Sequence, residues 1–385
     1  MSYNRSVSTI FRVFSRALQG ALLLMLLGAP LAPAEPIAVK VMTRNLYFGA
    51  DLSPIVAAQN QNQLVAAVAG AWANVVASDP QLRMAQVAQE ILAERPHIVG
   101  LQEAVLWRTQ TPGDSFLSPA TNVQFGGAFY QLLENALGGL YTVRAVAQNS
   151  DNELPGLNFG SPNFLTDYRL TDYDAILVRN DVQVLGSDHN FPFAAQSVLT
   201  VAGVPVPSAL TYSYLDVVVS GIPIRAFNTH LDPIFGFTNN LQGLELIGAL
   251  DASPYRTVLL GDLNTVPQIG TTQVYQNLLA AGLADAWLDQ GTGNGLTWRD
   301  DPLLNDPSIA FSERLDYIFH RGFQTLDVDL IGDTPFSDTR PMWPSDHAGV
   351  VATLQLVPAP GSLLLVVIGL AGAGLIRRRT RQRSR

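Results

Sequence analysis

The sequence predicts a layered α/β sandwich, and three observations predict it. Short runs rich in Val, Ile and Leu are interspersed with segments of helical period. Several of those runs follow one another with no helical segment between them, which a simple doubly wound sheet does not accommodate. Six of the strand ends each carry a carboxylate, an amide or an imidazole. The loops at strand ends are where α/β folds hold their sites.

Ile37 to Met42 is the first predicted strand. From Gln81 to Glu94 the apolar residues Met84, Val87 and Ile91 recur at helical spacing. That helix must end at Arg95-Pro96, because the residue before a proline is pushed out of the helical region. Ile98 to Leu101 is a brief uninterrupted apolar run, which reads as a buried strand. Ala175 to Val178, Tyr214 to Val219, Ile224 to Phe227 and Thr257 to Leu260 are further strands. Tyr275 to Ala281 is predicted helical, and Asp316 to Phe319 and Val350 to Leu356 close the series. Thr109 to Asp172 is rich in Gly, Asn, Pro and Ser, which predicts a long insertion or a partly ordered lid. Gly291 to Gly295 predicts a mobile loop. It neither follows a strand nor opens a helix, so it is no dinucleotide motif.

The two ends read as addresses. Residues 1–34 have basic Arg5, Arg12 and Arg16, an apolar stretch from Ala21 to Leu27, and Ala32-Pro33-Ala34 at a small-x-small cleavage position, the pattern of a signal peptide. At the other end, Gly361 to Ile376 is uncharged and mostly apolar, and Arg377-Arg378-Arg379 follows at once. The arginines are expected to stay on the cytoplasmic side. The order Val357-Pro358-Ala359-Pro360-Gly361-Ser362, apolar run, Arg cluster resembles the PEP-CTERM sorting tail of Gram-negative bacteria, with Ala359 where that tail has Glu. The resemblance implies an exosortase-type processing machinery and the envelope membrane as partners. It also implies export to the periplasm, cell surface or extracellular matrix. The division expected is signal peptide 1–34, catalytic body 35–356 and sorting tail 357–385. Nothing in the sequence indicates the oligomeric state.

Composition limits the function. The chain of 385 residues is 48% hydrophobic and 14% charged, with a net charge of −9. Three Arg lie in the leader and six at the C-terminal tip. Removing those nine leaves 14 basic residues against 32 acidic, a charge of −18 on the body. Lys40 is the sole lysine, so a broad basic surface for tracking nucleic acid is excluded. An anionic substrate therefore needs a metal or a small local basic site. Cysteine is absent, which rules out disulfides and thiolate metal sites.

The chemistry-bearing residues are Asn45, Gln102-Glu103, Asn228-Thr229-His230, Gly261-Asp262-Leu263-Asn264, Arg314-Leu315-Asp316 and Ser345-Asp346-His347. Asn45, Glu103, Asp262, Asn264 and Asp346 are hard oxygen donors, which suit Mg²⁺ or Mn²⁺ better than zinc. A cation held there neutralises phosphoryl charge and reconciles an acidic body with a phosphate substrate. Histidine is the proton shuttle suited to neutral pH, and a carboxylate such as Asp316 can orient it. Each motif has a plainer reading: Gly-Asp-x-Asn is ordinary turn composition, and a Glu after a strand can complement a helix dipole.

These residues, in this order, resemble the endonuclease/exonuclease/phosphatase family. The resemblance runs from Thr43-Arg44-Asn45-Leu46 through Ile98-Val99-Gly100-Leu101-Gln102-Glu103 and Gly261-Asp262-Leu263-Asn264 to Ser345-Asp346-His347. Thr297-Trp298 also fits. His97 departs, standing where Asp is expected. The resemblance implies a four-layered α/β sandwich with two packed, mostly antiparallel mixed β-sheets flanked by helices. It implies Glu103 as principal metal ligand with Asn45 beside it and Asp346 near the metal, which is Mg²⁺, Mn²⁺ or Ca²⁺. It implies that Asp262 and Asn264 hold the attacking water and the phosphate, with Arg314 also on the substrate. His230 contacts and polarises the phosphate. His347 is the general acid/base, oriented by Asp316. The expected activity is hydrolysis of phosphodiester bonds, with an extracellular nuclease first. Phospholipid or sphingomyelin hydrolysis, expected to bring an exposed aromatic at Phe235-Gly236-Phe237 or Trp343, is the alternative. A phosphomonoesterase follows, and a non-catalytic surface protein on a retired hydrolase fold is the reading of another class.

Overall fold

Strand β1 (Ala38–Asn45) shows how the layers arise. Alternate residues of a strand face opposite sides. Val39 and Val41 enter one apolar cluster, and Met42 enters another on the other face. The computed structural model describes residues 38–114, 117–268, 270–337 and 341–356. The leader and the sorting tail lie outside them. Among the described residues, no helix is long and apolar enough to cross a membrane.

After β1 the chain forms α1 (Ser53–Val56), α2 (Gln61–Ala77), α3 (Pro80–Glu94), β2 (Ile98–Gln102), β3 (Leu106–Gln110), β4 (Asn122–Val123), α4 (Phe129–Ala136), β5 (Tyr141–Leu157), β6 (Leu165–Arg179), β7 (Gln183–Pro192), β8 (Ser197–Val201) and β9 (Val204–Ser208). It continues with β10 (Thr211–Val219), β11 (Ile222–His230), α5 (Gly236–Asp251), β12 (Arg256–Asp262), α6 (Val274–Ala280), β13 (Ala284–Asp285), α7 (Ala286–Gln290), β14 (Asp316–Arg321), β15 (Phe323–Ile331) and β16 (Gly349–Leu356).

One sheet has eight strands in the order β15-β16-β1-β2-β6-β3-β4, with β5 added on β6. The second has six, β13-β14-β12-β11-β10-β7, and β8-β9 is a separate hairpin. Val39, Val41, Ile98 and Ile176 of the first sheet meet Val217, Ala226, Val258 and Leu260 of the second. Each such fully buried aliphatic side chain contributes about 1.5–3 kcal/mol over leaving it in water. Helices α2, α3 and α4 cover the outer face of the first sheet through Leu64, Val68, Met84, Val87, Ile91 and Phe129. Helices α5 and α6 cover the second through Leu246, Leu250, Val274 and Leu278. The result is the four-layered mixed sandwich.

The sheets approach closely at Gly100. A Cβ there would stand 2.5 Å from Asn228 Oδ1 and 2.8 Å from Leu260 Cβ. Helix α3 begins as its sequence requires. Pro80 sits in the first turn, and the Asp79 side chain accepts from the Leu82 N–H. It ends on Arg95, whose left-handed conformation and N–H bond to Ile91 O close the last turn ahead of Pro96.

The segment Thr109–Asp172 is no loose lid. It holds α4 and most of the paired strands β5 and β6, which run from Tyr141 opposite Arg179 to Leu157 opposite Leu165 with register shifts between Val143 and Ala145 and between Gln148 and Ser150. Its polar residues satisfy each other across the ribbon: Asp151 accepts from Arg169 Nε at 2.8 Å and from Thr171 Oγ1 at 2.7 Å. A ladder whose stabilising pairs are cross-strand and polar has the composition of a loop. Gly291 and Gly295 do not form the expected free loop either. They lie against the Trp287 indole, 2.5 Å from where a Cβ would stand.

Candidate active site

The site residues continue the inter-sheet faces of their strands. Asn45 follows Val39, Val41 and Thr43 at period two, and Asp262 follows Val258 and Leu260. His230 follows Ala226 and Asn228, and Asp316 precedes Ile318. The apolar layer between the sheets thus becomes polar at one edge. Strands β11 and β12 are parallel and β12 and β14 antiparallel, which places His230, Asp262 and Asp316 side by side in one row. Across from them, parallel β1 and β2 put Asn45 beside Gln102, the residue before Glu103.

Asn45 joins the two sheets. Its Nδ2 donates to Glu103 Oε1 at 2.9 Å and to Asp262 Oδ2 at 3.0 Å, while its Oδ1 accepts from the Tyr47 N–H. Asn45 therefore braces the carboxylates; its own oxygen is turned away from them. Glu103 Oε2 accepts from the Phe48 N–H at 2.8 Å. Both Glu103 and Asn264 have positive φ, 52° and 45°, one and two residues beyond their strands. That conformation costs about 1–2 kcal/mol for a residue with a side chain, and it turns the chain at the site.

Asp262 lies between two imidazoles, with Oδ2 3.8 Å from His230 Nε2 and 3.7 Å from His347 Nε2. Its Oδ1 accepts from the Asn264 N–H at 3.0 Å. The Asn264 side chain donates to Leu231 O at 2.9 Å and lines the groove. His347 Nδ1 meets Asp316 Oδ2 at 2.7 Å, so that nitrogen carries a proton toward the carboxylate and Nε2 faces the groove. Burial opposes charge on His347, yet Asp316, Asp346 and Asp262 outweigh it and hold its pKa well above the usual value. The same balance, with Asp262 and Glu103 foremost among the carboxylates, lifts His230 to about 9. Burial pushes Glu103 up to about 7 and Asp346 up to about 6, against the pull of the nearby imidazoles.

Glu103, Asp262 and His347 offer ligand atoms that lie within 4.8 Å of one another. The donors are mostly hard oxygens, and Glu103 and Asp262 are buried carboxylates that converge from two sheets. Both features fit a divalent cation. Asp346, expected near the metal, lines the same groove but lies outside that trio. Arg314 is not brought to the site. Its guanidinium is bound to Asp285 and lies 4.7 Å from the Tyr317 ring centroid. An arginine next to a chemistry-bearing motif proves to be a brace for the strand that carries Asp316. Trp343 is buried against Tyr47 and Leu304, so it supplies no exposed aromatic. Phe237 does, at 77% exposure, but from helix α5 and not from a hairpin.

Five supporting residues carry weaker signals. Thr297 Oγ1 accepts from the N–H groups of Leu315 and Asp316, at 3.0 and 3.1 Å, and so fixes the start of β14. Arg44, fully buried, pairs with Glu90 and donates to the His347 carbonyl. Arg83, also buried, donates to the carbonyls of Leu46 and Pro344 behind the site. An arginine at position 83, four residues before Val87 on the apolar stripe of a helix, was the available sign. Asp172 lines the groove on the His230 side. Asp174, two residues further along β6, is fully buried.

Fold and site together define a phosphoester hydrolase of the α/β sandwich class. The profile of the endonuclease/exonuclease/phosphatase family matches residues 45–347, and the chain belongs to that family. None of the curated proteins matches the chain. Among solved structures it is similar to an endonuclease/exonuclease/phosphatase family protein from Bacteroides thetaiotaomicron (18% identity, 84% of this chain and 96% of that one, TM-score 0.55). It is also similar to a mannosyl-6-phosphatase from the same organism (18%, 83% and 100%, 0.53). A family protein from Bacteroides vulgatus gives 17%, 83% and 99%, and 0.50. At those identities the likeness is one of fold.

Proposed function

We propose that the protein is an exported hydrolase of phosphodiesters that depends on a divalent metal, Mg²⁺ first. The observation that carries this reading is the convergence of Glu103, Asp262 and His347 from two sheets, with Asp316 behind His347. Glu103 and Asp262 would hold the cation, which would supply positive charge to the phosphoryl group. Asn45 braces both carboxylates. Asp262 takes a proton from the water that attacks phosphorus in line, and Asn264 orients that water. His230, kept protonated by the carboxylates around it, hydrogen-bonds a phosphoryl oxygen as charge builds there. As the phosphorus–oxygen bond to the leaving group breaks, His347 gives its Nε2 proton to that oxygen, and Asp316 stabilises the ring throughout. Export rests on the leader and the sorting tail.

A nuclease is the particular activity the sequence puts first, and the groove favours a different substrate. Besides the imidazoles of His230 and His347, which serve the one phosphoryl group, Arg299 is the single cation lining it, and Arg299 is held by Asp301 at 2.9 Å and lies 3.7 Å from the Trp343 ring centroid. Among the described residues, the groove offers no cation to a second phosphate. Each phosphate of a polynucleotide needs its own. That advances an ester with one phosphate over DNA or RNA.

The test runs the full protein on bis(p-nitrophenyl) phosphate and on plasmid DNA, with Mg²⁺ and with EDTA. Mg²⁺-dependent release of nitrophenol, with little plasmid cutting, is expected. Activity unchanged by EDTA would sink the metal-dependent reading.

The metal has a second readout. A carboxyl with a raised pKa contributes stability below its unfolded value, near 4.5, that is lost as pH rises through its folded value, here about 7. The metal-free protein is therefore destabilised by Glu103 above about pH 7, where a bound cation compensates best. Mg²⁺ is expected to raise Tm more at about pH 8 than at about pH 5.5, measured against EDTA. An equal increment at both pH values counts against Glu103 as a ligand.

A further inference from the structure

The catalytic groove extends far beyond its polar end. Its volume is about 930 Å³, more than one phosphate group occupies. Away from Glu103 and His347 its walls are Leu52 and Ile55 beside and in α1, Leu154 and Leu170 on the β5–β6 ribbon, and Leu199 and Val206 on the β8–β9 hairpin. These six side chains are half-buried, so each keeps apolar surface toward the groove. Three separate elements build this wall. The Ala202 N–H ties the hairpin to Ala58 O at 3.1 Å. On β6, Leu170 and Asp172 are two residues apart and both line the groove, so the apolar wall leads directly to the His230 side of the site.

The charges point the same way. Asp51, Asp300 and Glu313 line the groove, and its one arginine is already paired. A polyanion is repelled there, whereas an alkyl or aryl group gains by leaving water. Resting on the phosphoesterase reading above, we propose that this wall is a subsite for an apolar ester group, so that the preferred substrate is a phosphate ester of an apolar alcohol. The group can come from a membrane lipid or from a soluble ester; the chemistry recognised is the same.

Binding tests this without turnover. Butyl-, hexyl- and octylphosphonate cannot be hydrolysed at their carbon–phosphorus bond. Titrated calorimetrically into the full protein with Mg²⁺, their Kd is expected to fall about threefold per added methylene, on the order of 10²-fold from butyl to octyl. Leu199→Asn and Ile55→Asn, each checked for an unchanged cooperative thermal transition, are expected to flatten that dependence. Leu326→Asn, 41% exposed on β15 and outside the groove lining, keeps it. Sedimentation with phosphatidylcholine vesicles, which carry no net charge, separates the two sources. Pelleting with a chain-length dependence assigns a lipid, and no pelleting with the same dependence assigns a soluble ester. A Kd independent of chain length, no binding of octylphosphonate, or an undiminished dependence in both wall variants overturns the proposal. If methyl p-nitrophenyl phosphate is hydrolysed while the dependence is flat, the subsite fails and the activity stands. With a steep dependence and no hydrolysis of any ester, the subsite stands and the activity fails.

Discussion

Glu103→Gln is expected to lower kcat/KM for phosphodiester hydrolysis on the order of 10³-fold, the several kcal/mol a cation supplies at about 1.4 kcal/mol per tenfold. The substitution keeps shape and removes the charge. It also turns a donor toward Asn45 Nδ2, which now donates to Glu103 Oε1. Glutamine still has one oxygen for the Phe48 N–H, so the turn after β2 has a partner. Removing a buried carboxylate among Asp346 and the other acids is also expected to shrink the Mg²⁺-induced rise in Tm. Kinetics at saturating Mg²⁺ and thermal shifts check both. Activity within about tenfold of the unmodified protein would place the cation elsewhere.

His347→Ala is expected to cost 10²–10⁴-fold in kcat, the usual contribution of a positioned acid or base. The pH profile gives a sharper sign. His347 is held protonated to well above 6.5, so activity that needs its proton persists through neutral pH and falls only on an alkaline limb. Asp316 is the largest of the surrounding charges that raise this pKa. Asp316→Asn removes it and is expected to move the limb to lower pH, with a smaller loss of kcat than His347→Ala. The double variant should then be little worse than His347→Ala alone, because the two residues act as one unit. An alkaline limb that stays in place in Asp316→Asn would show that His347 is not the titrating acid.

Much of this site is legible in the sequence because strand geometry is local. Asn45, His230, Asp262 and Asp316 end or begin apolar runs, and each is spaced two residues from a core position. Residue type at such a position reads out both the strand and the chemistry. Helix α3 is legible for the same reason: a proline bounds it at each end, and Met84, Val87 and Ile91 mark its buried face. Helix α2 escapes a reading of the sequence, although Asn60 caps it and Leu64, Val68, Ala71 and Val75 are buried at helical spacing. Most of its other residues are also uncharged and apolar, including Val65, Trp72, Val76 and five alanines, so its two faces hardly differ in polarity. The β5–β6 ribbon escapes for a different reason. Its polar residues are satisfied by partners about twenty positions away, and a local pattern holds no record of that.

The same distinction separates Arg314 from Arg299 and Arg83. An arginine in sequence looks like a free cation, and only packing shows which carboxylate or carbonyl already holds it. Sequence alone determined the layered α/β sandwich, the strand ends at which the site lies and the hard-oxygen and imidazole character of its groups. Those follow from alternation and residue type. Tertiary structure decided that Asn45 braces Glu103 against Asp262, that the cations are spoken for, and that leucines from three separate elements wall one groove. Such facts depend on which distant residues share a volume, and a contact across 217 positions, such as Asn45 to Asp262, is set by the packing of whole sheets.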